Sequence, residues 1–341
     1  MVTADSVALK TRPLTENFGA EIIGVDLTQP LDAPFGLEIV GADLTRDIDE
    51  GTRKAIRDAW IDAGILLFRD MRNDDMAQMR LSAIFGEMEP AATADLNDPI
   101  NQFMMTLAYD PEDPSGRPNP FYRVNGIDRA GWLGWHWDQS FMPTIVRGAV
   151  LRMTEPARVM GETGFIDAIQ AYDRLSSDMQ KRIEGLEVVY EFNPDFCSGQ
   201  FGFPTDIERL NVGATVKAGA KYNFPPVVHP LVITQMETGR KVLKLSPMHA
   251  RYVLGMDKAE SDALLTELAL HLGDPAHAYF HKWQENDMVV WDNWRIVHSA
   301  NGVPLDCKRT ARRTTIAGDY KVGRYLDPTL DRDREVKRLV D

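Results

Sequence analysis

From Gly134 onward the chain is a succession of short apolar runs of strand length, and this pattern limits its possible folds more than any other feature. The runs fall at roughly 134–142, 146–153, 163–166, 227–234, 241–245, 278–284, 288–292, 295–299 and 309–317. They are rich in β-branched and aromatic residues and are bounded by Gly, Pro, Asn or Asp, as strands are. Two helical stretches interrupt them. One fits Ala168 to Leu186, with Leu175, Met179, Ile183 and Leu186 on one face. The other fits Lys258 to Leu272, with Leu264, Leu265, Leu268 and Leu272 on its apolar face and Asp257 as N-cap. Many strands beside few helices imply a β-sandwich or barrel with helices packed outside it.

The first third adds a helix at Thr52–Ala63, a strand at Gly64–Arg69 and a second helix at Asp74–Phe85, begun by an Asp and stopped by Gly86. Residues 18–33 (FGAEIIGVDLTQPLDA) and 35–50 (FGLEIVGADLTRDIDE) are near-copies displaced by 17 positions. Two copies are too few for a solenoid, so they are read as two structural strands, an antiparallel pair. Residues 88–130 and 192–225, rich in Pro, Asn, Asp and Gly, have no clean period and are expected to be lid loops over a single domain spanning 1–341.

A net charge of −13 leaves no basic face for nucleic acid, although a local Arg cluster can still receive a small anion. The longest aliphatic stretch, Gly64 to Phe68, is far too short to span a bilayer, and the first residues lack the apolar core of a signal peptide. Cys197 and Cys307 are the two cysteines and lie outside any metal-type spacing, so a reduced, cytoplasmic chain is expected. No GxGxxG or Walker sequence occurs.

The chemistry-bearing residues begin with His136-x-Asp138. On a strand, side chains two apart share a face, so an imidazole and a carboxylate can meet one ion. Alone the pair is weak evidence, since about half an occurrence is expected by chance with this many histidines, and a buried His bonded to its neighbour is the plain alternative. His298, which ends the run Trp291-Asp-Asn-Trp-Arg-Ile-Val-His298, offers a third ligand. Two His and one carboxylate form the facial triad of non-haem Fe(II) oxygenases, whereas a closed zinc site wants a fourth ligand. Further on, Arg309 and Arg313 share one strand face and Arg312 takes the other. Two inward guanidinium groups suit bidentate capture of small carboxylates, although a solvated strand edge is the commoner use of such a pair.

Taken together, these residues resemble the taurine and 2,4-dichlorophenoxyacetate dioxygenase family of 2-oxoglutarate oxygenases. The resemblance rests on ordered blocks: FGAEIIGVDLT with GILLFRD and FGEM; WHWDQSF at 135–141; GETGFIDAIQAYDRLS at 161–176; and NDMVVWDNWRIVHSA at 286–300 leading into RTARRTTIAGD at 309–319. Thr163 follows Asp138 by 25 positions and Arg309 follows His298 by eleven, as in the family pattern. The resemblance implies a mainly β fold with flanking helices, a double-stranded β-helix of the jelly-roll, clavaminate synthase-like type. It implies Fe(II) on His136, Asp138 and His298, with Arg309 and Thr163 on the distal carboxylate of 2-oxoglutarate. O2 is the other co-substrate, and the products include succinate and CO2. A carboxylate at Asp138 argues for hydroxylation over halogenation.

The expected substrate is a small carboxylate or other anion, because Arg313 stands where family members acting on sulfonates grip the anionic head. Arg313 could equally serve 2-oxoglutarate or pair with a nearby carboxylate. Glu89, Pro90 and Ala91 stand where a substrate-binding His is expected, and Trp132 replaces a substrate-binding Asn, so taurine itself is not expected. Trp132 is the best pocket candidate, and Tyr122, Arg123 and Asn125 of the same expected lid are candidates to touch substrate. His249 is expected to support or pack against the site. A homo-oligomer without nucleic-acid or membrane partners is expected. Two other classes compete: a non-catalytic jelly-roll binding protein, and a zinc-type hydrolase using the same three ligands with an activated water.

Overall fold

The computed structural model describes residues 10–13, 20–23, 50–69, 71, 74–93, 96–113, 120–195, 197, 199–202, 204–211 and 222–332. Two sheets carry the architecture. The larger, eight-stranded sheet runs Lys10–Pro13, Ala20–Ile23, Ile65–Phe68, Met288–Asp292, Gly148–Glu155, Arg309–Ile316 and Met88–Glu89, with Met104–Tyr109 also paired to Arg309–Ile316. The smaller sheet has the order Tyr279–His281, Thr163–Asp167, Ile296–Ala300 and Leu133–His136. The pairings within both are antiparallel except Ala20–Ile23 against Ile65–Phe68.

The two-residue period of a strand sorts side chains between two cores. Ile65, Leu67, Ala149, Leu151, Met153, Val289, Trp291 and Ala311 of the large sheet pack with Phe165 and Ile296 of the small one. Their neighbours Leu66, Phe68, Val150, Met288, Val290 and Ile316 point the other way and are covered by Ile56 and Trp60 of helix Glu50–Ala63 and by Ala77, Leu81, Ile84 and Phe85 of helix Asp75–Phe85. Strands covered on both faces have no polar side to show, which is why ILLF and MVVW read as unbroken apolar runs. A third core joins Ile166 and Val297, on the outer face of the small sheet, to Leu264, Leu265, Leu268 and Leu272 of helix Lys258–Leu272. Among the described residues, no helix is long and apolar enough to cross a membrane.

The helices begin where the capping residues place them. Asp74 accepts from the Met76 amide, and Asp257 accepts from those of Ala259 and Glu260. Several expectations need correction. The helix expected over Ala168–Leu186 is two, Ala168–Asp173 and Ser177–Ile183, because the Ser176 hydroxyl accepts from the Met179 amide and starts a new helix. The strand expected over Val227–Thr234 breaks after Pro230. Val227–Pro230 then pairs with Glu187–Tyr190 and Val232–Thr234 with Lys241–Leu243. Much of 88–130 is sheet, including a hairpin of Phe121–Val124 and Ile127–Ala130 whose turn residues Asn125 and Gly126 both have positive φ, 52° and 74°. In the expected lid 192–225, Glu208–Arg209 forms a short strand on that hairpin, while residues 196, 198, 203 and 212–221 lie outside the described residues. Of the sequence duplication, Ala20–Ile23 of the first copy pairs with Lys10–Pro13. The second copy lies outside the described residues apart from Glu50.

Candidate metal centre and active site

His136 is the last residue of its strand and stands opposite His298 in the ladder, which brings the two imidazoles to 4.2 Å between ring centroids. Asp138 does not continue that strand. The chain turns at this point, with Gln139 at φ 55°, so the shared strand face inferred from the i, i+2 spacing is not what aims the carboxylate. A buried Asn does so instead. Asn293 Oδ1 accepts from the Asp138 amide at 2.7 Å, and Asn293 Nδ2 donates to the carbonyls of Asp138 and Val146 at 3.2 and 3.0 Å. Lys244, itself buried, donates to the Asn293 carbonyl at 2.5 Å and lies 4.2 Å from the Trp137 ring centroid.

The result is a buried cluster in which one ligand atom each from His136, Asp138 and His298 lies within 4.8 Å of the others. His298 Nε2 is 3.6 Å from Asp138 Oδ1. His136 Nδ1 donates to the Gly134 carbonyl at 2.8 Å, because a carbonyl can only accept, and this leaves the Nε2 lone pair free to ligate. Burial pushes both imidazoles below the ordinary His range, despite the nearby Asp138 charge. Burial also opposes ionisation of Asp138, but the adjacent Arg313 guanidinium outweighs it and holds the carboxyl at about 2. Two neutral imidazoles and a carboxylate are the protonation states that a divalent cation needs. The donor set fits an ion and leaves one flank open.

That flank faces a cavity of about 330 Å³ lined by, among others, Trp132, Phe141, Phe192, Met248, Arg309 and Arg313. As their even spacing implies, Arg309 and Arg313 both face it, while Arg312 points away to Asp75 and Asp98 at 2.6 and 3.1 Å. Arg313 Nη2 lies 2.7 Å from Asp138 Oδ2. Arg309 has no ion-pair or hydrogen-bond partner among the described residues, and burial pulls its guanidinium down to about 10. Thr163, buried at the start of its strand, also lines the cavity, and its Oγ1 accepts from Trp283 Nε1 at 3.0 Å. A cation and a hydroxyl facing one cavity without an acceptor make an anion site.

The other candidates separate. Trp132 lines the cavity. Tyr122 does not: it is fully buried behind Trp132, with ring centroids 5.9 Å apart. Asn125 is exposed at the hairpin tip, where the turn needs its left-handed backbone, and Arg123 pairs with Asp128 and Glu208 on the surface. Neither reaches the cavity, so the expectation that Asn125 and Tyr122 contact substrate directly is corrected. Trp137 belongs to the core, and Trp135 packs against Phe280 at 6.0 Å. His249 lines the cavity, and its Nδ1 accepts from the Asn193 amide at 3.1 Å, which places the ring hydrogen on Nε2. Asn293, Lys244 and Trp283 escaped the sequence reading. The one available signal was that Asp292, Asn293 and Arg295 interrupt an apolar run of strand residues, which buried polar side chains do only when they have partners.

Known proteins resemble this chain over most of its length. An (S)-phenoxypropionate/alpha-ketoglutarate-dioxygenase from Sphingobium herbicidovorans is 30% identical over 325 residues, 92% of this chain and 96% of that protein. An alkylsulfatase from Acinetobacter baylyi is 27% identical over 337 residues, 97% of this chain and 93% of that one. A crystal structure of AAD-2 in complex with Mn(II) and N-oxalylglycine shares the fold, with a TM-score of 0.66 at 23% identity over 92% of this chain and 99% of that one. Family and relatives define an alpha-ketoglutarate-dependent dioxygenase, an oxidoreductase. The chain belongs to the taurine catabolism dioxygenase TauD, TfdA family, whose model matches residues 10–315.

Proposed function

We propose that the protein holds Fe(II) through His136, Asp138 and His298 and uses 2-oxoglutarate and O2 to hydroxylate a small anionic molecule, releasing succinate and CO2. The two facing sheets are read as the halves of a double-stranded β-helix, with the metal at one end of the space between them. One observation carries the proposal: a three-residue cluster with an open flank shares its cavity with the Thr163 hydroxyl and with the guanidinium of Arg309, which has no partner among the described residues. A hydrolytic zinc site has no use for that pair.

When bound, the iron and 2-oxoglutarate would reduce O2 to an oxidant strong enough to attack an unactivated C–H bond. The chain's own residues place the reactants. Arg309 and Thr163 take the distal carboxylate of 2-oxoglutarate, so the 2-oxo acid end reaches toward the triad. Leu96, Met105, Leu107, Trp132, Phe141 and Met248 give the rest of the cavity apolar walls that exclude water and suit a hydrophobic body. Among the polar groups of the lining, Arg313, which also pairs with Asp138, and the Nε2–H of His249 are read as those that meet the substrate's head. The substrate is thus read as an anion carried on an apolar aryl or alkyl group. The phenoxypropionate named for one relative and the alkyl sulfate implied by the name of another have that form.

The test is anaerobic loading with Fe(II), addition of 2-oxoglutarate and O2, and measurement of succinate across aryloxy acids, alkyl sulfates, sulfonates, aliphatic carboxylates and betaines. Strong stimulation by an anion with an apolar body is expected. Turnover with zinc and no iron, or stimulation by betaines alone, overturns the reading.

A further inference from the structure

Thr163 presents one hydroxyl, which can either donate or accept toward a ligand, and a carboxylate rewards only donation. The structure decides the matter through a residue that does not line the cavity. Trp283 Nε1 lies 3.0 Å from Thr163 Oγ1, and an indole N–H can only donate. The Thr163 oxygen therefore accepts from Trp283, and its own hydrogen is left for another acceptor. No acceptor for it occurs among the described residues, and the cavity is where the side chain faces.

Trp283 is in turn held at a fixed angle. Its ring meets that of His281 edge to face, with centroids 4.5 Å apart and planes at 90°. His281 is buried and its protons are assigned by its partners. The Asp287 carboxylate can only accept, so Nε2 carries a hydrogen and donates to Asp287 Oδ2 at 3.1 Å, while Nδ1 shares a hydrogen bond with the Tyr279 hydroxyl at 2.7 Å. That same carboxylate oxygen accepts from Arg69 Nη1 at 2.7 Å and from the Gln284 amide at 2.9 Å. Strand pairing of Thr163 with His281 fixes where the hydroxyl and this cluster stand relative to each other. None of these groups except Thr163 touches the cavity.

We propose that Trp283 is a positioning residue for the 2-oxo acid co-substrate: its indole N–H occupies the acceptor side of Thr163, so that the hydroxyl is pre-set to donate to the distal carboxylate beside Arg309. The inference rests on the reading of Arg309 and Thr163 as the 2-oxoglutarate site. Without the indole N–H, the hydroxyl is free to rotate, and each binding event must reorder it.

The test is calorimetric titration of 2-oxoglutarate, and separately of pyruvate, into the anaerobic Fe(II)-loaded protein. Pyruvate has the 2-oxo acid end but no distal carboxylate, so it bypasses Thr163. Trp283→Phe is expected to weaken 2-oxoglutarate binding by about fivefold, in line with loss of one oriented hydrogen bond, and to leave pyruvate binding unchanged. Thr163→Val is expected to weaken 2-oxoglutarate by about tenfold. The double variant should bind no more weakly than Thr163→Val alone, because Trp283 acts only through the hydroxyl. Equal weakening of both ligands in Trp283→Phe, or losses that simply add, would overturn the inference and make Trp283 an ordinary packing residue. Should Trp283→Phe not fold, Trp283→His, which keeps a ring N–H, is compared with Trp283→Leu by the same ratio of the two affinities, and equal ratios would refute the proposal. If instead neither Thr163→Val nor Arg309→Gln weakens 2-oxoglutarate, the underlying reading of the site fails.

Discussion

Asn293 grips Asp138 by both ends of the backbone, accepting from its amide at 2.7 Å and donating to its carbonyl at 3.2 Å. The backbone that carries the carboxylate is thereby fixed by a side chain 155 residues away that does not line the cavity.

Replacing Asn293 with Ala is expected to weaken Fe(II) affinity by roughly 10- to 100-fold, the usual loss when a ligand's supporting partner is removed. Global stability should also fall by about 2 kcal/mol as buried groups lose their partners. Metal titration with a competing chelator, beside urea unfolding of the metal-free protein, separates the two effects. Unchanged metal affinity would show that the Asp138 turn holds itself.

Arg309 is half-buried and meets no anion among the described residues. Arg309→Gln should raise the KM for 2-oxoglutarate by about 100-fold through loss of a bidentate charged contact. The stability of the protein should be preserved or improved, since an unpaired cation leaves a site that disfavours charge. Steady-state kinetics at varied 2-oxoglutarate and a thermal melt check both statements.

The wall residue Trp132 calls for the opposite kinetic signature. Trp132→Ala should raise the KM for the organic substrate by about tenfold, given the apolar area it removes from the cavity, while the KM for 2-oxoglutarate stays within about twofold. Succinate formation at varied substrate and then at varied 2-oxoglutarate distinguishes the two. A rise in both constants would mean that the whole cavity has collapsed.

Acid should destabilise the fold through histidines that are not metal ligands. Burial holds His229 at about 3, with further lowering by Lys244, and burial with the nearby Arg251 charge holds His249 at about 3. An unfolded His takes up its proton near pH 6.5. Between these values the unfolded chain binds protons that the native chain refuses, so stability is complete above about pH 6.5 and declines as pH falls toward 3. Each residue contributes up to about 1.4 kcal/mol per pH unit over that window. Urea midpoints between pH 7 and 4.5 should drop more steeply for the wild type than for His229→Gln, in which the amide can still donate to the Met142 carbonyl. Parallel curves would show that His229 is protonated in the fold.

Much of this centre was legible in the residues before any coordinates. His136, Asp138 and His298 do converge, and the parity of Arg309, Arg312 and Arg313 along one strand assigned their faces correctly. Such readings succeed because strand periodicity and ligand chemistry are local properties, carried by residues a few positions apart. The helices Glu50–Ala63, Asp75–Phe85 and Lys258–Leu272 were equally plain, because apolar spacing and capping residues write them into single segments.

What the sequence by itself determined is therefore the strand-rich class, the three residues that converge and the face that each arginine takes on the strand Arg309–Ile316. Tertiary structure alone decided that Asp138 is aimed by Asn293 and not by strand geometry, that Thr163 is turned by Trp283, and that Tyr122 and Asn125 stand off the cavity. For the first two, the physical reason is that a hydrogen bond between residues more than a hundred positions apart has no periodicity to betray it. For Tyr122 and Asn125, it is that a hairpin's own sequence does not say which of its parts the rest of the fold brings against the cavity.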